Sequence, residues 1–337
     1  MQTEILHEND IQRAADILNS GGLVAIPTET VYGLAADALN GQAVAKIFKA
    51  KGRPMDNPLI VHISSIEEIY RLVSKFPDKA KVLANKFWPG PLTMILPKSD
   101  IIPDEVSAGL NTVAVRLPSH KIAREVIKES GKPLAAPSAN LSGSPSPTTA
   151  EHVINDMFGR IDAIIDGGKC EVGLESTVIT LATDTPRLLR PGGVTIEQLR
   201  DAIGQVDIDD AVFNKLKETD VAASPGMKYK HYAPKARVII LIGSSDKYAE
   251  YVNSHNSNTT AALCYEEDKD KLTVPVFTYG SKNDYSKQAQ ALFDALREID
   301  KTDIKLVYAR CPEPIGVGMA VYNRLIRAAG FEMIDIG

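Results

Sequence analysis

The chain of 337 residues carries 38 Lys and Arg against 43 Asp and Glu, a formal charge of −5, with 44% hydrophobic and 24% charged residues. That is enough chain for two domains or one large one, with the balance of a folded rather than a disordered protein. No apolar run approaches the ~20 residues that span a bilayer, and an acidic excess argues against coating nucleic acid by charge alone.

The first half alternates helix and strand signals. Asn9 or Asp10 can cap a helix carrying Ile11, Ala14, Ala15 and Leu18, which Gly21-Gly22 ends. Leu23–Pro27 reads as a short buried strand, a second helix runs from about Gln42 to Ala50, and Leu59–Ile63 is another strand. Ser65-Ile66-Glu67-Glu68 has capping-box spacing at the start of a helix. Asp78–Phe87 and His120–Glu129 read as helices, Leu92–Leu96 and Thr112–Leu117 as strands. Capping-box spacing recurs at Thr148 to Glu151 and at Thr195 to Gln198, with strand-like Ala163–Ile165 and Thr177–Leu181 between them. A boundary follows near residues 205–236, where Asp207, Asp209, Asp210, Glu218 and Asp220 precede Ser224-Pro225-Gly226 and the basic, aromatic run Met227–Pro234. Strands Val238–Ile242, Thr260–Cys264, Val274–Thr278 and Lys305–Ala309 then alternate with helices near Lys247–Ser254, Lys287–Ile299 and Met319–Ala329. Such βαβ repeats close as a small parallel sheet.

Four segments hold the polar chemistry. Lys46, Lys49, Lys51 and Arg53 cluster where a helix exits through Gly52 and Pro54. On a turn, Lys51 and Arg53 suit a phosphate chain, although such clusters also occur as plain solvated helix faces. Pro27–Leu34, with Thr28, Thr30 and Tyr32, suits a small polar ligand at a strand end, or simply a turn with a helix cap. Pro137–Gly143 offers amides and hydroxyls to an anion, or an Asx/ST turn. His62 ends an apolar strand and reads equally as a satisfied core residue. Arg116, in Thr112–Pro118, and Arg190, in Leu188–Gly192, interrupt apolar strands; each requires an internal carboxylate or an anionic ligand. The chain lacks a Gly-x4-Gly-Lys-Ser/Thr loop, His-Glu-x-x-His, Cys-x-x-Cys and Gly-x-Ser-x-Gly, and Gly316-Val317-Gly318 is a weak dinucleotide match. Three scattered cysteines, Cys170, Cys264 and Cys311, and an N-terminus without a secretory pattern lead us to expect a cytoplasmic protein.

Taken together, the motifs carry a resemblance. Thr28–Leu34, Lys51-Gly52-Arg53-Pro54, Asn57-Pro58-Leu59, Trp88–Thr93, Val115–Pro118, Ala136–Asn140, Glu175–Val178 and Arg190-Pro191-Gly192 closely resemble, in order, the YrdC-like family. Ser224–Pro234 and the terminal repeats are similar to that family's two-domain form. The resemblance implies an α/β fold: a YrdC-like twisted mixed open sheet with helices, plus a second, smaller Rossmann-like α/β domain. Expected bounds are 1–205 for the catalytic domain, 206–236 for a linker or lid and 237–337 for the small domain.

The implied activity is a nucleotidyl transfer that joins L-threonine, bicarbonate and ATP into threonylcarbamoyl-AMP and pyrophosphate. By the same resemblance, Thr30, His62, Arg116, Ala136 and Ser176 would contact threonine. Arg53, Asn57, Thr112, Ser138, Ser146, Arg190 and Tyr232 would contact ATP. Lys51, Arg53, Ser138 and Asn140 would be the catalytic set at the phosphates, with Mg2+ carried by ATP and no assigned metal ligands. Lys228, Lys230 and Tyr232, hinged at Gly226, would form a lid. A downstream tRNA threonylcarbamoyl transferase complex would take the product, with tRNA itself a further candidate partner and no membrane. The rival readings are an RNA-binding module and a related carbamoyl-adenylate-forming enzyme.

Overall fold

The structure, a computed structural model, describes residues 2–215 and 231–337; the expected lid residues Gly226, Lys228 and Lys230 lie outside them. Helix Ile11–Asn19 forms where Ala14, Ala15, Ile17 and Leu18 repeat on one buried face. Asp10 stands at its start, but its carboxylate accepts from the His7 amide (2.8 Å) rather than capping the helix. Helix Gly41–Lys51 is capped by Asn40, whose side chain accepts from the Gln42 and Ala43 amides, and it stops at Gly52 in the left-handed region, φ 62°. That stop turns the chain so that Lys51 and Arg53 leave the helix in different directions.

The helix expected to start at Thr148 is capped one residue later. Thr149 accepts from the His152 amide, because the Thr148 hydroxyl is taken by Asp294 of the second domain at 2.6 Å. Ser65–Glu68 does form a capping box, but on a short 3-10 turn that passes into helix Ile69–Leu72.

Eleven strands make the first sheet, in the order Glu4–Leu6, Ala163–Ile165, Val24–Ile26, Gly33–Asp37, Leu134–Ala135, Ile60–His62, Thr112–Arg116, Leu92–Pro97, Thr177–Thr180, Arg187–Arg190 and Asp207–Ile208. Parallel and antiparallel pairs are mixed along it. Strand Gly33–Asp37 has no counterpart in the sequence reading. Every residue of Gly-Leu-Ala-Ala-Asp is buried, so no polar alternation marks it, and Gly and Ala are weak strand formers. The sheet ends at Ile208, within residues 206–236.

The second sheet is wholly parallel: Val276–Thr278, Thr260–Cys264, Leu306–Ala309, Arg237–Ile242 and Met333–Asp335. Its last strand shows no apolar run and escaped the sequence reading. Helices Tyr285–Asp300 and Gly318–Ala328 carry this domain onto the first. Arg297 pairs with Asp156 at 2.7 Å and donates to the Pro145 carbonyl at 2.6 Å. Asn323 and Arg327 donate to the carbonyls of Val212 (2.7 Å) and Ala211 (2.6 Å). The docking is thus made largely by polar side chains closing on the other domain's backbone.

Candidate active site

One cleft gathers residues from eight separate parts of the chain. It is lined by Thr28, Thr30 and Gly33 of the turn after Val24–Ile26, by His62 and Arg116, and by Ala136, Ser138, Asn140, Ser144 and Ser146. Arg53, Glu175, Ser176, Arg190, His231 and Tyr232 complete it. His62 and Arg116 are register partners at the last positions of two parallel strands, so the sheet itself sets them side by side. The segment after Leu134–Ala135 is stitched to the turn through Leu34 N–H to Pro137 O (2.7 Å) and Ala139 N–H to Tyr32 O (2.8 Å). Gly33 permits that approach, since a Cβ there would meet the Ala136 Cβ at 3.2 Å.

At one end, the Arg116 guanidinium donates to Thr30 Oγ1 (2.9 Å) and to the Gly90 carbonyl (3.2 Å), and pairs with Glu29 at 2.7 Å. Burial, the largest single influence, would raise the Glu29 carboxyl, but the Arg116 charge together with hydrogen bonds from Arg116 and the backbone holds the group below the usual range. Glu29 is therefore the internal carboxylate that Arg116 required. Burial, reinforced by the Arg116 charge, pushes the His62 imidazole down to about 3, so it is neutral at physiological pH. Its Nδ1 lies 3.3 Å from the Ile60 carbonyl.

At the other end, Arg190 donates to the Ser176 carbonyl (3.0 Å) and hydroxyl (3.1 Å), and that hydroxyl also meets Thr93 Oγ1 at 2.7 Å. Burial lowers the Arg190 guanidinium to about 10, which leaves it charged at neutral pH. Glu175 accepts from the Ser146 hydroxyl. Its carboxyl, which burial would raise, is held below the usual range by the charges of Arg324 and Arg190. Tyr232 adopts a left-handed backbone, φ 64°, with its ring 5.4 Å from Phe293. The Asn140 amide donates to the Leu141 and Ser144 carbonyls at 2.8 and 2.9 Å. Its buried Oδ1 has no hydrogen-bond partner among the described residues and is an acceptor available to a ligand.

Eleven of the residues singled out in the sequence line this cleft: Thr30, Arg53, His62, Arg116, Ala136, Ser138, Asn140, Ser146, Ser176, Arg190 and Tyr232. Lys51, Asn57 and Thr112 do not. The Lys51 ammonium is buried and donates to the carbonyls of Ser138 and Asn140 (2.6 Å to the latter), so in this geometry it is a strut under the Ser138–Asn140 loop. Asn57 is buried and offers its carbonyl to Arg53 at 3.2 Å. Thr112 lies at the start of the strand that Arg116 ends, away from the cleft. Sequence reading missed Glu29 and Glu175. Each stands next to a hydroxyl-bearing residue in a motif already noted, and the demand of Arg116 and Arg190 for a counter-charge was the available signal.

Residues 16–192 match the model of the Sua5/YciO/YrdC family, described as telomere recombination, and residues 194–330 match that of the threonylcarbamoyl-AMP synthase C-terminal domain. The chain is 46% identical to the threonylcarbamoyl-AMP synthase of Pyrococcus abyssi, covering 99% of this chain and 98% of that one. It is also 46% identical to that of Bacillus subtilis, over 98% and 97% of the two chains. In three dimensions it is similar to the crystal structure of P. abyssi Sua5 complexed with L-threonine, with a TM-score of 0.92 and 44% identity over 100% of both chains. No helix among the described residues is long and apolar enough to cross a membrane.

Proposed function

The chain belongs to the threonylcarbamoyl-AMP synthase family of nucleotidyltransferases, and from that premise we propose how its cleft divides the work. L-Threonine occupies the end built by Thr30, His62, Arg116 and Ala136, its carboxylate toward Arg116, and reaches Ser176 where Arg190 joins that end to the nucleotide end. ATP occupies the end built by Arg53, Ser138, Ser146, Arg190 and Tyr232. The observation that carries this reading is that the two sets, scattered over some 200 residues of sequence, line one continuous cleft.

The amine of threonine and bicarbonate give a carbamate and water; a carbamate oxygen then bonds to the α-phosphorus of ATP, and pyrophosphate leaves with the electrons of the broken P–O bond. No protein nucleophile is consumed. The protein's task is to align the two substrates and to neutralise developing charge, which the cleft's arginines do. Neutral His62 is a hydrogen-bond partner rather than a cation, so it adds no competing charge beside Arg116. The product anhydride hydrolyses readily, and the buried ring of Tyr232 helps to exclude water from it.

Magnesium is assigned to the ATP phosphates rather than to the protein. Both carboxylates at the cleft, Glu29 and Glu175, are committed to arginines, and among the described residues no group of three acidic, His or Cys side chains could hold a metal. We propose further that a tRNA-modifying transferase takes up the product and that both reactions run in the cytoplasm. The purified chain should release pyrophosphate from ATP only when L-threonine and bicarbonate are both present. Release that ignores the omission of threonine would overturn the reading.

A further inference from the structure

We infer that Arg324, in the last helix of the small domain, is a positioning residue that neutralises Glu175 from behind and so removes its repulsion of the ATP phosphates. Arg324 is fully buried and lies outside the cleft lining. One guanidinium reaches three parts of the nucleotide end. Its Nε donates to Glu175 Oε2 at 2.9 Å, its Nη1 to the Pro191 carbonyl at 2.8 Å and its Nη2 to the Glu175 carbonyl at 3.3 Å. Its flat face lies 5.6 Å from the centroid of the Tyr232 ring, which Phe293 of the same domain backs at 5.4 Å. Only a planar fork satisfies such a set at once.

The charge arithmetic gives the arrangement its purpose. A carboxylate in a polyphosphate site repels the ligand and competes for its arginine. Glu175 lines the cleft, and the charge of Arg190 already acts on it. With Arg324 bonded to its far oxygen and Ser146 to its near one, Glu175 presents little uncompensated charge to a phosphate. The Pro191-Gly192 turn that follows Arg190 is seated tightly on the same segment, because a Cβ at Gly192 would meet the Thr177 nitrogen at 2.3 Å. As a device for stability alone the pair is a poor choice, since buried ion pairs gain little over apolar packing. The second domain thereby finishes the nucleotide end.

The test uses the full chain and rests on the ATP assignment made above. Arg324→Gln should raise the ATP KM by about 10- to 100-fold, one to two steps of tenfold affinity. L-Threonine binding, read by calorimetry, should stay within about twofold. Glu175→Gln combined with Arg324→Gln removes both buried charges, supplies a folded comparison even if Arg324→Gln alone unfolds, and should return the ATP KM to within about tenfold of the parent. Asp294→Asn breaks a different inter-domain contact, to Thr148 and Lys169, and should leave the ATP KM unchanged. An unchanged ATP KM in Arg324→Gln overturns the inference. So does equal weakening of ATP and threonine, a double variant no less impaired than Arg324→Gln alone or still impaired more than about tenfold, or an Asp294→Asn defect that matches Arg324→Gln. A parent chain that releases no pyrophosphate sinks the ATP assignment instead, so the two failures are distinguishable.

Discussion

The two ends of the cleft each contain a buried carboxylate–arginine pair, and the pairs are assembled differently. Glu29 and Arg116 meet at 2.7 Å within the first domain, on a turn and a strand end that the same sheet holds. Glu175 and Arg324 meet at 2.9 Å across the domain boundary. In both, burial would neutralise the carboxyl and arginine charge prevents it. The threonine end is therefore completed by its own domain, whereas the nucleotide end is completed by another. A chain built this way can lose order at one end and retain the other, which makes the difference open to experiment.

The largest effect should come from breaking the self-contained pair. Arg116→Ala leaves Glu29 buried without its charge and removes the group assigned to the threonine carboxylate, at a cost of about 3–5 kcal/mol. We expect threonine binding to disappear from calorimetric titration while the ATP analogue still binds. Loss of both ligands together would mean that the ends are not separable. A smaller effect is expected from Arg53→Ala, whose side chain reaches the nucleotide end from the first domain. Loss of charge-assisted bonding at about 1.5–3 kcal/mol corresponds to roughly 10- to 150-fold in turnover. Steady-state kinetics should place the loss in ATP rather than threonine; unchanged kinetics would remove Arg53 from the site.

This asymmetry also explains what was legible in the sequence. Arg116 advertises itself, because a charge closing an apolar run needs a partner, whereas His62, which also reads as a core residue, gains its meaning from standing beside it. The small parallel domain was equally plain, its short apolar strands spaced by amphipathic helices. Strand Gly33–Asp37 was not, since complete burial erases alternation. Lys51 reads from the sequence as a cation at a helix exit, and only the fold shows that two carbonyls of the Ser138–Asn140 loop accept from it. Arg324 was illegible for a deeper reason. It lies 149 residues from Glu175 in the chain, on a helix with an ordinary amphipathic pattern, and its meaning exists only after two domains have docked.

The smallest effect probes a liability that the two ends share. His62 at the threonine end and His231 at the nucleotide end are both lowered to about 3, chiefly by burial and then by a neighbouring arginine, Arg116 and Arg53 respectively. An unfolded histidine takes up its proton below about 6.5, whereas these two resist until about 3. Between those values the unfolded chain binds more protons, so stability falls as pH falls through that window and is insensitive to these groups above it. Each group contributes a slope of at most about 1.4 kcal/mol per pH unit. His62→Asn and His231→Asn should each flatten the decline of Tm between about pH 6.5 and 4, and the double variant should flatten it further. If His62→Asn runs parallel to the parent while His231→Asn does not, the threonine end hydrates its histidine in acid, and the neutral partner assigned beside Arg116 has to be revised.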